Sequence, residues 1–163
     1  MFTNEIYYRW MKKNQTDKYR EIEYHLPVFQ GRVLDVGIGP GWFEEFFKLR
    51  AVGIDIDKKS AADIIASGNE IPLKNKSFDN VICLNTIHLI GGNEIKRVLK
   101  KGGLLLLSHH TNKENEKDVE KKLLNMFKEF KLLEKIIVGN KEKDLVLLLE
   151  KNKNPRVSQG PVV

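Results

Sequence analysis

The stretch VLDVGIGPGWFEEFF, residues 33–47, decides the fold. An apolar run carrying one acid, Asp35, stops at three glycines spaced Gly-x-Gly-x-Gly: Gly37, Gly39 and Gly41. Behind them Trp42, Phe43, Phe46 and Phe47 recur at i, i+1, i+4 and i+5, which is one face of a helix. A buried strand, a glycine turn and an aromatic-faced helix in that order open a strand–helix–strand unit. Glycines at such a turn let a ligand approach the backbone closely.

Outward from this stretch the chain alternates strands and helices. AVGIDID reads as a second strand ending in acid, ADIIAS as a brief third, and FDNVICLN as a fourth buried on both faces. NEIKRVLKKGG reads as a helix with a glycine stop, LLLLSHH as a fifth strand, and EKDVEKKLLNMFKEF as an amphipathic helix. KLLEKIIVG and KDLVLLLEK, joined by NKEK, read as a terminal hairpin. The fold class is therefore α/β: a mostly parallel sheet covered on both faces, with an antiparallel strand added by the hairpin. Three regions are expected: an N-terminal helical lid segment over residues 1–30, a folded domain over 31–152, and a flexible polar tail over 153–163.

Composition narrows the class. Of the 163 residues, 41% are hydrophobic and 31% charged, the balance of a globular domain with a real core. No run approaches eighteen apolar residues, so no membrane span is expected. The single cysteine, Cys83, excludes an internal disulfide and fits a reducing, cytoplasmic setting. It lies inside an apolar strand, as a buried small hydrophobe does. The formal net charge of +6 allows a nucleic-acid partner without demanding one.

The glycine spacing discriminates between ligands. A dinucleotide loop wants G-x-G-x-x-G, and Trp42 fills the place of its third glycine. A P-loop needs G-K-[ST], which is absent. Asp35, two residues before the first glycine, would repel a pyrophosphate and suits a cationic group. S-adenosylmethionine carries an ammonium and a sulfonium and has no phosphate. Its own carboxylate could use free N–H groups where the next helix starts. Asp55 ends the apolar run of the second strand, where two carboxylate oxygens match the vicinal diol of a ribose. Asp57 is the nearby competitor.

With VLDVGIGPG, VGIDI, EIPLKNKSFDNVICLNTIHLI and RVLKKGGLLLLS in order over residues 31–110, the chain resembles the class I S-adenosylmethionine-dependent methyltransferases. The resemblance is nearest to the small-molecule branch that includes the ubiquinone and menaquinone biosynthesis enzymes. It implies a Rossmann-like seven-stranded sheet with a reversed last strand. It also implies methyl transfer from S-adenosyl-L-methionine, with S-adenosyl-L-homocysteine as product. Carried over by position, it implies that Asp35 and the turn Gly37, Ile38, Gly39 and Gly41 hold the methionine part. Asp55 would bind the ribose, Ile56 pack on the adenine, Ser67, Gly68 and Asn69 line the adenine edge, and Asn85 face the methyl group. Two departures stand out. Ser67 replaces the Asp usual at the adenine edge. Only eight residues, KKSAADII, lie between Asp57 and Ala66, too few for the usual helix plus a strand. The crossover between strands 2 and 3 is expected to shrink to a loop or single turn. A homodimer, or the N-terminal segment folded back, would then cover the flank carrying Ile64 and Ile65.

His88 follows the fourth strand, and His109 and His110 end the fifth, where ligands of open α/β sheets bind. The three are expected to converge on the mouth of the site. Ordinary hydrogen bonding leads; His88 or His109 as general base for a hydroxyl or amine comes next. A metal site is the weakest reading, since no ligand spacing is tight. The Asn/Asp-Pro-Pro-Tyr signature for nucleobase amines is missing, with LNTIHL in its place. Tyr7, Tyr8, Trp10, Tyr19 and Tyr24 either stack on a planar acceptor or, as the favoured reading, pack the N-terminal helix onto the sheet. Three functions remain open: methyl transfer to a small molecule, methyl transfer to RNA or protein, and a non-catalytic binding domain of the same fold.

Overall fold

The computed structural model of the chain describes residues 4–153. Its seven strands are β1 Val33–Val36, β2 Val52–Asp55, β3 Ile64–Ile65, β4 Phe78–Leu84, β5 Leu99–Thr111, β6 Phe130–Val138 and β7 Lys143–Lys151. They form one sheet in the order β3-β2-β1-β4-β5-β7-β6. The strands from β3 to β5 pair in parallel, and β7 runs antiparallel to both of its neighbours. Among the described residues the α-helices are α1 Asn4–Ile22, α2 Trp42–Phe47, α3 Asn93–Val98 and α4 Glu116–Met126.

Alternation along the central strands builds two cores. On one face Leu34, Ile54, Val81, Cys83, Leu105 and Leu107 pack with Ile95 of α3 and Leu123 of α4. On the other, Val33, Ile82, Leu106, Val146 and Leu148 pack with Tyr19 and Ile22 of α1 and Phe43 of α2. The strand pattern that reads as buried on both faces is thus buried on both faces. Cys83 is fully buried, and burial pushes its thiol well above the ordinary range, with Asp35 adding to the effect.

One boundary differs from the sequence reading. The helix beginning at Asn93 stops at Val98, and Leu99 is already extended at φ −81°, ψ 131°. Gly102 and Gly103 do not cap it; they form an irregularity in β5. Phe78 pairs with Leu99 and Asn80 with Leu104, so the four residues 100–103 of β5 stand opposite Asp79 alone, an excess of three. Gly102 there has φ +77°, a conformation glycine adopts without penalty.

The crossover from β2 to β3 contains no helix, as its length dictates. It turns back on the glycine turn instead: the Ala61 N–H donates to the Gly39 carbonyl at 2.8 Å. Among the described residues the N-terminal segment packs away from the β3 flank. Helix α1 packs on α2 and β6, because its Tyr19 meets Phe43, Phe46 and Phe47 and its Ile22 joins the same core. The proposed tail falls almost wholly outside the described residues.

Candidate functional site

The C-terminal ends of β1, β2 and β4 converge around the glycine turn. The turn is pinned from behind, since the N–H groups of Gly37 and Ile38 both donate to the Ile54 carbonyl, at 2.8 and 3.2 Å. Gly37 has φ +77°, and a Cβ there would lie 2.3 Å from the Thr86 Oγ1. The Gly39 N–H donates to Asp55 Oδ2 at 2.9 Å, and the Gly41 N–H to the Ile38 carbonyl at 3.2 Å. All four N–H groups are therefore taken inside the protein, so a ligand carboxylate finds no donor among them. A Cβ at Gly39 would meet nothing within 4 Å, although φ is +54°. The turn is open at that residue.

Two hollows flank the turn and meet at Gly37. The first, of about 300 Å³, is lined by Val36, Gly37, Asp55, Ile56, Ser67, Gly68 and Ile90. Asp55 faces it while Asp57 does not: the Asp57 carboxylate accepts from the Lys59 N–H at 2.8 Å and closes its own turn. Ile56 is 71% exposed, an apolar side chain with no protein cover. The Ser67 hydroxyl accepts from the Asn69 N–H at 3.1 Å, and Asn69 Oδ1 accepts from Gly91, so Asn69 braces the loop and does not line the hollow. Arg97 fixes the same loop through the Ile71 and Leu73 carbonyls, at 2.7 and 2.8 Å.

The second hollow, of about 160 Å³, lies under α1. Asp35, Gly37, Ile38, Gly39 and Asn85 line it with Met11, Gln15, Tyr19 and Trp42. Sequence reasoning missed the α1 contributions of Met11 and Gln15. It also missed Asp144 of β7, which accepts from the Lys18 Nζ at 2.9 Å and from the Asn85 Nδ2 at 3.0 Å. Because a carboxylate only accepts, this bond fixes the Asn85 amide with its nitrogen toward Asp144. Asn85 Oδ1 is left buried without a partner, as are both Glu44 carboxylate oxygens. Asp35 is 3% exposed, and burial, with the neighbouring Glu44 carboxyl next, holds its own carboxyl well above the usual carboxylate range. An acidic hollow with orphaned acceptors fits a cationic, hydrogen-bond-donating ligand group.

The histidines do not converge. His88 and His109 meet edge to face at 5.5 Å and line a third hollow of about 270 Å³ with Asp118 and Lys122 of α4. His110 points to the opposite face of β5, where Nδ1 lies 3.3 Å from Asp144 Oδ1. Strand alternation separates His109 from His110. Among the described residues no group of three metal-ligating side chains occurs. The aromatic residues of α1 divide as well. Tyr8 meets Trp42 edge to face at 5.2 Å and Tyr19 packs inside, while Tyr7 and Trp10 stack on each other at the surface.

A parallel sheet with one reversed strand, a glycine turn after β1, an acid within β1 and an acid ending β2 define the class I S-adenosylmethionine-dependent methyltransferase fold. Residues 34–107 match the model of a methyltransferase-domain family. An uncharacterized protein of Methanocaldococcus jannaschii is 34% identical over 120 residues, 63% of this chain and 57% of that protein. The chain thus aligns with little more than half the length of that relative. An S-adenosylmethionine-dependent methyltransferase of Thermotoga maritima superposes with a TM-score of 0.67 at 20% identity, covering 90% of this chain and 95% of its own. A Haloferax volcanii protein described as a methyltransferase, solved with the Trm112 methyltransferase activator, gives 0.70 at 14% identity, with 90% and 93% covered. At these identities the structural likenesses carry the fold alone. Among the described residues no helix is long and apolar enough to cross a membrane.

Proposed function

We propose that this chain binds S-adenosylmethionine across the two hollows and passes its methyl group to a small-molecule nucleophile. The observation that carries the reading is the pair of hollows joined at Gly37, each with its own acid: Asp35 in one, Asp55 in the other. When bound, the cofactor supplies an electrophilic methyl group on a sulfonium whose charge is discharged in the transfer. The protein's part is then to align the partners and exclude water. Asp55 accepts the ribose hydroxyls, Ile56, Ser67 and Gly68 line the adenine side, and Asp35 receives the cationic methionine end. Asn85, held by Asp144, faces the methyl position, and α1 forms the lid. His88 and His109, beside the adenine hollow across the shared Ile90, are the candidate bases for an acceptor that must lose a proton.

Asp55→Ala should weaken S-adenosylhomocysteine binding by about 1.5–3 kcal/mol, the scale of a charge-assisted hydrogen bond. Titration calorimetry reads it directly, and unchanged affinity would remove Asp55 as the ribose anchor. For the acceptor, turnover of S-adenosylmethionine on a panel of amines, phenols and thiols supports the small-molecule reading. Strong, salt-dependent binding to bulk RNA with no turnover on the panel would replace it with a macromolecular acceptor.

The β3 edge bears on assembly. It has two residues, no covering helix, and Ile65 48% exposed. A second copy covering Ile65 would gain about 1.5–3 kcal/mol from that buried side chain. Sedimentation equilibrium at micromolar concentration is expected to show a dimer that Ile65→Lys returns to monomer. A monomeric wild type would defeat this assembly.

A further inference from the structure

Asp35 and Glu44 stand together without a cation. Asp35 is buried in β1 and lines the hollow under α1. Its carboxyl is within hydrogen-bonding reach of that of Glu44, which comes from the first turn of α2 with both oxygens buried and no donor to meet them. The titratable groups that face Asp35 are Glu44 on α2, Asp55 on β2, Tyr19 on α1 and Cys83 on β4, and none is cationic. The nearby lysines of α1 are engaged elsewhere, Lys18 with Asp144 and Lys12 with Glu45. Two ionised carboxylates are acceptors only, so their contact becomes a hydrogen bond when one of them carries a proton.

We propose that Glu44 is a positioning residue for the cofactor's ammonium group: it shares one proton with Asp35 in the free protein, and that proton leaves as the ammonium arrives. The inference rests on the cofactor site described above and extends it to a residue outside the glycine turn. No covalent bond changes. One proton goes to solvent, the pair passes from one negative charge to two, and the ligand brings one positive charge. The bound pair is ionised and the free pair protonated, so affinity rises with pH below the titration of the free pair and levels off above it. The limiting slope is about tenfold per pH unit for one proton.

S-adenosylhomocysteine is the probe, because it keeps the ammonium and lacks the sulfonium. Calorimetry on the full chain from about pH 5.5 to 8, where that ammonium stays charged, in buffers of differing ionisation enthalpy, counts the protons. Wild type is expected to release a proton on binding, with affinity rising with pH by up to about tenfold per unit until the free pair is ionised. Glu44→Gln should bind with a flat pH profile and release none, because its carboxamide donates to Asp35 and leaves that carboxylate ionised. Should Glu44→Gln fail to fold by circular dichroism, Asp35→Asn, which gives Glu44 the same donor, must lose the same slope. A wild type that binds without releasing a proton, or a folded variant that keeps the wild-type slope, overturns the role of Glu44 and leaves cofactor binding intact. No binding by wild type at any pH overturns the cofactor site and this proposal together.

Discussion

Gly39→Val is expected to lower S-adenosylhomocysteine affinity by at least about a hundredfold, ~2.7 kcal/mol, in a protein that still folds. Two features of the turn make this the most damaging single change for the proposed site. Gly39 has φ +54°, where a β-branched residue is strained by about 1–3 kcal/mol. That cost is small enough for a domain to survive. The added side chain would meet no protein atom within 4 Å, so it projects into the open side of the turn, where the ligand has to lie. The Gly39 N–H is also the donor that ties the turn to Asp55, and a shift there disturbs both hollows. Gly37→Val is the informative contrast. Its Cβ would meet Thr86 at 2.3 Å, so it should damage folding as well as binding. Calorimetry with S-adenosylhomocysteine, beside far-ultraviolet circular dichroism and a thermal melt, separates the two. A Gly39→Val protein that binds as wild type does would place the cofactor elsewhere.

The contrast between the two glycines shows what the sequence made legible. The Gly-x-Gly-x-Gly spacing after a buried strand located the turn, because few other residues tolerate positive φ. The chain length between Asp57 and Ala66 settled the missing helix, since residue count bounds what a segment can form. Both are local constraints. What stayed hidden depends on tertiary placement. Gly102–Gly103 looks like a helix stop in one dimension and is an irregularity in β5, a choice made by pairing with β4. Glu44 is one of two adjacent glutamates on a short helix, and nothing in the string says that it turns back toward Asp35 rather than out to water like Glu45. The separation of His109 from His110 was available from strand alternation alone. Asp144 offered a weak signal, an acid at the head of a run of five apolar residues. Its partners, Lys18 and Asn85, lie 126 and 59 positions away, beyond the reach of any local pattern.

That acid carries the largest expected loss of stability. Lys18 Nζ and Asp144 Oδ2 are 2.9 Å apart, and both side chains are only 5% exposed. Asp144 also accepts from Asn85 Nδ2 at 3.0 Å, where Asn85 is in the left-handed region at φ +54°. Asp144→Ala leaves a buried ammonium without a counter-charge and a buried amide without its acceptor. Breaking one side of a buried pair in this way costs about 3–5 kcal/mol, which for a domain of this size lowers the melting temperature by roughly 6–20 °C. Replacing both partners should be milder. Lys18→Met with Asp144→Leu exchanges the ion pair for apolar packing between α1 and β7, and is expected to recover more than half of the loss. Asn85 still lacks its acceptor in that double variant, so cofactor affinity should remain below wild type even where stability returns. Thermal and urea melts of the two variants, with calorimetry on the double, measure both parts. A loss below about 1 kcal/mol for Asp144→Ala, the size of an exposed ion pair, would mean that water reaches Lys18 and that the aromatic contacts of Tyr19, not this pair, hold α1 over the site.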